Sequence, residues 1–390
     1  MDRASQTAVA TRLVEHYRAG TQDLAPTEMA QPIRHYRDPA YTERERERML
    51  RVMPVVAAHG SELPEPGDFI TDTIVGTPVL VVRQPDRAVK AFVNICRHRG
   101  TQLEWEASGN RRLFSCAYHA WSYERDGALR TIPSQQDGFP CTDRGEFGLI
   151  ELPAEERHGI VWVVLTPGSG IDVAAHLGAE LDAELTSWGL EHAVQERIDR
   201  FDNNFNWKFT IDGFLEGYHL RYLHAKTIGA YFVTPDLALF DRWGTHTRMT
   251  LTRKAFEAVA DRVPGEIELH TVSIPVYVLF PATVLVWQND HWELWTSFPD
   301  PTDHTRSIAR ARLMAPTPDS VESERALWDK NWRILMDTVE QEDWRAAAYT
   351  QRGLAAAPAE LVFGRNEPCL QHFHRTIDQF CGDRPDADQG

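Results

Sequence analysis

Two short stretches of this chain place thiols and imidazoles close together. Cys96-Arg97-His98 is followed, after seventeen residues, by Cys116-Ala117-Tyr118-His119. Two thiolates and two imidazoles on separate loops suit a [2Fe–2S] cluster in which one iron takes two Cys and the other two His. Neutral imidazoles in place of thiolates lower the negative charge of the cluster and raise its potential, which gives a one-electron relay. Structural zinc uses the same residue types. Zinc sites, however, usually separate paired ligands by two or more residues, and the first pair here is Cys-x-His. Gly100 after the first pair, Trp121 after the second and Tyr118 within it also favour the cluster.

His219 and His224 begin a second candidate set. At this spacing they would stand about 140° apart on a regular helix, which turns about 100° per residue. Both can face one ion only if the helix is distorted or ends there, and that is the expectation. A third donor must come from elsewhere. Asp343, in Val339-Glu340-Gln341-Glu342-Asp343-Trp344 on a long C-terminal helix, is the candidate, with Glu342 as its rival. Two His and one carboxylate form the facial triad of non-haem Fe(II) sites, which leaves the opposite face open for dioxygen and an organic molecule. In a chain with 16 histidines such a pair also arises readily by chance. Glu216 lies three residues before His219, a separation that shares one helical face. Asp212, four residues before Glu216, either supports the site through hydrogen bonds or caps the helix.

The elements that must position these groups change character along the chain. Residues 1–48 read as a polar helical segment that packs on the catalytic domain. Residues 49–166 carry short strand-like runs at 73–75, 79–82, 91–93 and 160–165, punctuated by Gly and Pro, and predict a small β domain whose loops present the first ligand set. Pro167-Gly168-Ser169-Gly170 marks a boundary, and 167–390 forms the second domain. There, a helical stretch near 172–188 precedes strand runs at 276–280, 283–287, 292–295 and 307–313, and a helical pattern follows at 319–352. This predicts an α+β domain in which an antiparallel sheet curls around a long helix and closes a cavity.

Composition narrows the function classes. A chain of 390 residues with 42% hydrophobic content can build two cores. No run of about eighteen apolar residues predicts a membrane span, and the first residues lack the apolar stretch of a secretory signal. Five cysteines, two of them in the ligand pairs, leave Cys141, Cys369 and Cys381, too few for a disulfide framework, so a reducing cytoplasmic setting is expected. A net charge of −16 disfavours nucleic acid. Residues 90–130 run the other way, with seven basic residues (Lys90, Arg97, Arg99, Arg111, Arg112, Arg125 and Arg130) against four acids, a net +3 that could steer an acidic electron donor.

Cys96-Arg97-His98-Arg99-Gly100 and Cys116-Ala117-Tyr118-His119-Ala120-Trp121, together with Asn206-Trp207-Lys208, Glu216-x-Tyr218-His219, His224 and Glu342-Asp343, resemble the Rieske-type non-haem iron aromatic-ring-hydroxylating oxygenases, alpha (terminal oxygenase) subunit. The resemblance implies an all-β Rieske [2Fe–2S] domain and a helix-grip (START-like) catalytic domain. It makes Cys96, His98, Cys116 and His119 cluster ligands, and His219, His224 and Asp343 ligands of a mononuclear non-haem Fe(II), with O2 as co-substrate. Glu216 and Asp212 become supporting catalytic acids, and Glu216 would link an iron-bound His to His119 of a neighbouring chain. The commoner family residue at 216 is Asp. Glu occurs in branches that include oxidisers of quaternary ammonium compounds. NAD(P)H would act indirectly, through a flavin reductase with or without a ferredoxin, and a ring-closed homotrimer is expected. Phe214, Leu215, Tyr231, Phe232, Trp287, His291 and Trp295 are the candidate pocket residues. The implied substrate is a small aromatic or hydrophobic molecule, hydroxylated or dealkylated at an O- or N-methyl group; the alternative is a quaternary ammonium compound. A Rieske electron carrier or a non-catalytic ligand-binding protein is the reading from another class.

Overall fold

The computed structural model describes residues 1–232, 237–356 and 359–382. The chain divides into two compact units, Leu50–His176 and Met1–Met49 with Leu177–Gly390. The first unit is all-antiparallel. Asp68–Ile74, Thr77–Arg83 and Val89–Val93 form the centre of a five-stranded sheet, and Val55–His59, Ala154–Arg157 and Ile160–Val163 form a three-stranded one. A second three-stranded sheet contains Phe114–Ser115, Ser122–Tyr123 and Leu129–Thr131. Phe69, Leu80, Phe92, Phe114, Trp121 and Tyr123 pack into one core that also contains Cys96 and Cys116. Burying the thiols among aromatic rings anchors both ligand loops to the sheets.

The second unit is built on seven antiparallel strands: β1 (Val194–Asn203), β2 (Ala238–Trp243), β3 (His246–Thr252), β4 (Ser273–Leu279), β5 (Thr283–Trp287), β6 (Trp292–Pro299) and β7 (Ser307–Ala315). Their order in the sheet is β1-β7-β6-β5-β4-β3-β2, a meander closed by the return of β1 beside β7. Helices α1 (Arg3–Ala19), α2 (Lys208–Gly213), α3 (Leu220–Leu223), α4 (Arg325–Thr338), α5 (Trp344–Gly353) and α6 (Pro368–Cys381) accompany it. The expected antiparallel sheet and C-terminal helix are present, with three differences. The helical pattern at 319–352 is interrupted by a π-type turn at Val339–Asp343, between α4 and α5. Residues 1–48 are not all helical, because Met29–Pro32 pairs with Glu360–Phe363. The chain also adds α6, whose buried face includes Leu370, Phe373, His374, Ile377 and Asp378. Cys369 and Cys381 lie on that face, as core residues rather than disulfide partners.

Candidate metal centres

The two ligand loops of the β unit are built alike. Gly100 N–H donates to the Cys96 carbonyl, and Cys96 N–H to that of Thr101. In the second loop Ala120 N–H donates to the Cys116 carbonyl and Cys116 N–H to that of Trp121. Each loop closes on a left-handed residue, Gly100 at φ 75° and Ala120 at φ 57°. A Cβ is disfavoured there, so glycine relaxes the first loop while Ala120 carries strain. The thiols point inward and are buried, while the imidazoles of His98 and His119 meet edge to face with ring centroids 4.7 Å apart. His98 stacks on Trp121 at 4.9 Å. Burial, then the charges of His119 and Arg99, hold His98 below its ordinary range, favouring the neutral imidazole that a metal requires. Burial, with Cys116 alongside, raises the Cys96 thiol, so two thiolates side by side here call for a cation between them. This donor set fits a [2Fe–2S] cluster.

Tyr123 was not singled out in the sequence. Its hydroxyl lies 3.4 Å from Cys96 Sγ and accepts a hydrogen bond from Arg97 N–H at 2.9 Å. The only clue would have been an aromatic residue on the strand after the second loop. The basic island is partly neutralised: Lys90 pairs with Glu151, Arg111 with Glu104 and Arg130 with Glu124. Arg99, stacked on Tyr118, remains at the exposed edge beside His119.

In the other unit His219, His224 and Asp343 converge, with one donor atom from each lying within 4.8 Å of the others. The helix between the two imidazoles is only the four-residue α3, flanked by His219 and His224, so the chain bends as their spacing requires. Asp343 Oδ1 is 3.0 Å from His224 Nε2 and 3.6 Å from His219 Nε2. The opposite ring nitrogens are taken by other acids. His219 Nδ1 donates to Glu216, whose second oxygen accepts the His219 N–H at 3.1 Å. His224 Nδ1 donates to Glu342 Oε2 at 2.6 Å, and Thr227 donates to the same oxygen at 2.7 Å. The π-type turn gives the adjacent acids 342 and 343 these different partners, as such turns often do at functional sites. Burial would lower the His224 imidazole, but Asp343 and Glu342 outweigh it and raise it. Among the described residues no Lys or Arg lies within 4.0 Å of Glu216, Glu342 or Asp343. Three carboxylates around two imidazoles suit a divalent cation, with His219 Nε2, His224 Nε2 and Asp343 Oδ1 gathered to hold it.

The segment carrying His219 is fixed from its start. Asn206 Oδ1 accepts from Lys208 N–H at the start of α2, and Asn206 N–H donates to Gln351 of α5 at 2.9 Å. Trp207 Nε1 and Lys208 Nζ both donate to the buried Glu45, at 2.9 and 2.7 Å. Gly229 closes the far side, where a Cβ would meet the Leu220 and His224 carbonyls at 2.5 and 2.8 Å. Asp212 is not a helix N-cap, because it sits near the C-terminal end of α2, where orphan N–H groups are absent. It instead accepts from Tyr36 Oη at 2.8 Å and pairs with His374 Nε2 at 2.8 Å.

The candidate pocket residues separate. Trp295 of β6 lies 5.4 Å from Phe214 and 6.0 Å from Trp344, ring to ring, and Leu215 is buried. Trp287 is on the other face of the sheet, because it is paired with Trp292, one residue out of phase with Glu293 and Trp295. There it packs on Trp188. Tyr231 is exposed, Phe232 bridges to Arg253, and His291 is bound to Asp290 and Asn331.

Two family models match this chain: a Rieske [2Fe-2S] domain over residues 53–148, and the ring hydroxylating alpha subunit (catalytic domain) over residues 189–383. The chain belongs to the ring-hydroxylating alpha-subunit family. It is 30% identical over 184 residues, 46% of its own length, to benzene 1,2-dioxygenase subunit alpha of Pseudomonas putida, of which the match covers 41%. It is also 30% identical over 214 residues to the N,N-dimethyl phenylurea N-demethylase subunit alpha of Sphingobium sp. (strain YBL2), covering 53% of this chain and 46% of that one. The chain thus spans under half the length of the curated relatives it matches. Among solved structures it resembles the quaternary ammonium Rieske monooxygenase CntA, with TM-score 0.78 at 20% identity over 91% of this chain and 96% of that one. Naphthalene 1,2-dioxygenase from Rhodococcus sp. gives 0.73 at 17% identity over 97% and 99%. At such identities the likeness shows the fold. Among the described residues no helix is long and apolar enough to cross a membrane.

Proposed function

We propose that this chain is the terminal oxygenase component of a multi-component system, using O2 and reductase-supplied electrons to hydroxylate or dealkylate a small organic molecule. The observation that carries the reading is the convergence of His219, His224 and Asp343 in a chain that also carries the paired Cys/His loops. Cys96, His98, Cys116 and His119 would hold the cluster, and His219, His224 and Asp343 the iron. When bound, the cluster supplies single electrons and the iron supplies a site at which dioxygen is activated. Glu216 and Glu342 accept hydrogen bonds from the Nδ1–H groups, which fixes both tautomers and turns each Nε2 lone pair towards Asp343. Asp212, held by Tyr36 and His374, positions the end of α2 before Glu216. The buried face of β3–β6 keeps water from the substrate side, with Trp295 as an aromatic wall.

The same reading assigns residues 49–166 to the cluster-bearing domain and 167–390 to the catalytic domain, with 1–48 packed on it. It places the protein in the cytoplasm, as a homotrimer in which Glu216 links the iron site to a neighbouring copy's cluster. Its donor is a ferredoxin or a flavin reductase docking near His119 and Arg99, with rates that fall as salt rises. Purified holoenzyme with a surrogate reductase, NADH and ¹⁸O2 tests the proposal on a panel of aryl acids, aryl methyl ethers, N-methyl amines and betaines. Label in one product, with formaldehyde or a cis-diol separating the two modes, supports it. A cluster that reduces while no panel member is oxygenated and no NADH is consumed beyond the half equivalent per cluster that this reduction takes counts against it.

A further inference from the structure

One face of the central strands is turned towards the segment that carries the iron donors, and three contacts identify it. A Cβ on Gly217 would meet Leu251 Cδ2 at 2.7 Å. Ser297 Oγ donates to the Trp207 carbonyl at 2.9 Å. Trp295 lies against Phe214 and against Trp344, the neighbour of Asp343. The register places Val276, Val286 and Leu313 in a row with Glu293, and Val278, Val284 and Ala311 in a row with Trp295. Glu293 is the one ionisable side chain that β3–β7 contribute to this face.

Glu293 is 2% exposed. Gln288 Nε2 donates to its Oε1 at 2.9 Å and Trp295 Nε1 to its Oε2 at 3.1 Å, and neither donor is charged. Among the described residues no Lys or Arg lies within 4.0 Å; the nearest ionisable nitrogen is His291 Nε2, at 3.9 Å. Arg253 is turned to Gln288 instead, donating to its carbonyl and its Oε1 at 3.1 Å each. Phe232, just beyond the His224 loop, bridges to Arg253, so the cluster borders the iron-carrying segment. A buried carboxylate is stable when a cation accompanies it, and each oxygen of Glu293 keeps an acceptor site free. Burial holds this carboxyl above its ordinary range despite His291, Trp295, Gln288 and Arg253, which pull it down.

We propose that Glu293 orients the substrate, and that the molecule it recognises carries a positively charged nitrogen on an apolar body. The carboxylate supplies the countercharge, the Trp295 indole a polarisable face beside it, and the valine rows the surface for the body. The proposal deepens the oxygenase reading and rests on it, because it takes this face as the substrate side of the iron site.

The test is calorimetric binding to the holoenzyme of benzylamine, cationic at neutral pH, and of benzyl alcohol, its near-isosteric neutral counterpart. Benzylamine is expected to bind at least about tenfold more tightly, equivalent to about 1.4 kcal/mol. Glu293→Gln should erase that preference while leaving benzyl alcohol unchanged. Glu293→Asp should keep part of it, as should Trp295→Phe, which frees Oε2 without removing charge. Cluster absorption and Tm report whether each variant folds. Equal affinities in the wild type, no binding of benzylamine, or a preference that survives Glu293→Gln overturns the proposal. Binding needs no turnover, so those results leave the oxygenase reading standing, and that reading fails separately in the ¹⁸O2 experiment.

Discussion

The Glu45–Lys208 pair offers the sharpest test of how the catalytic segment is held. Both side chains are 0% exposed, and Nζ lies 2.7 Å from Oε1. Nζ also stands over the Tyr36, Tyr41 and Trp207 rings at 5.2, 5.8 and 5.2 Å, while Glu45 Oε2 accepts the Trp207 indole N–H. Glu45→Ala leaves a buried ammonium without its countercharge, with only aromatic faces around it, and a buried indole N–H without its acceptor. Breaking such a pair costs about 3–5 kcal/mol. At about 2–4 °C per kcal/mol for a domain of this size, Tm should fall by roughly 6–20 °C. Glu45→Gln keeps an acceptor for Trp207 and should fall between wild type and Glu45→Ala. The double variant Glu45→Leu/Lys208→Met removes both charges and should recover most of the loss, since replacing a whole buried pair by apolar groups is often neutral. Because α2 leads directly to Glu216 and His219, Glu45→Ala should also bind iron more weakly than the double variant. Differential scanning calorimetry and iron titration read both effects. A loss below about 1 kcal/mol in Glu45→Ala, or a double variant no more stable than the single, would refute the reasoning, because the pair would then carry no uncompensated charge when broken.

Three further outcomes are expected. Burial pushes the Asp241 carboxyl up, but Arg248 at 2.8 Å and Arg12 at 2.5 Å outweigh this and hold it below the ordinary range. Its contribution is therefore complete above the unfolded value of about 3.9 and lost as pH falls through the folded value. The Tm gap between wild type and Asp241→Asn should be constant above about pH 5 and narrow in stronger acid, and a gap that widens there contradicts the assignment. Tyr123→Phe removes a donor beside Cys96 Sγ. The reduced, more negative cluster should lose about 0.5–1.5 kcal/mol of stabilisation, lowering the potential by about 20–60 mV in a redox titration; an unchanged potential argues against that bond. Ala120→Gly should be neutral or stabilise by up to about 1 kcal/mol, and Gly100→Ala should destabilise by about 1–2 kcal/mol, both in thermal unfolding. Equal effects would mean that the two loops do not share their closing geometry.

What could be read from the sequence was the chemistry carried by neighbours in the chain. The Cys-x-His and Cys-x-x-His pairs lie within single loops, and the spacing of His219 and His224 already demanded the break that α3 provides. Residues that act through distant partners left no such trace. Glu342 stood as the rival of the chosen Asp343 because the sequence does not show which partner each adjacent acid meets; the π-type turn is where they part, Glu342 to His224 Nδ1 and Asp343 to its Nε2. Trp287 looked like a pocket residue because an aromatic strand run does not reveal which parity faces the helices; the pairing of Trp287 with Trp292 decides it. Met29–Pro32 was invisible as a strand because its partner, Glu360–Phe363, lies more than three hundred residues away. The polar brace of α2 is the fullest case. Glu45, Tyr36 and Gln31 come from the first fifty residues and His374 from α6, yet they meet around Lys208 and Asp212. Gln31 Nε2 is 2.9 Å from His374 Nδ1, so His374 offers its Nε2–H to Asp212 when that amide donates. The two imidazoles of the candidate iron site are therefore local in sequence, while Asp343 and the groups that brace α2 come from distant parts of the chain, and a substitution at position 31 or 374 should disturb His219 without touching it.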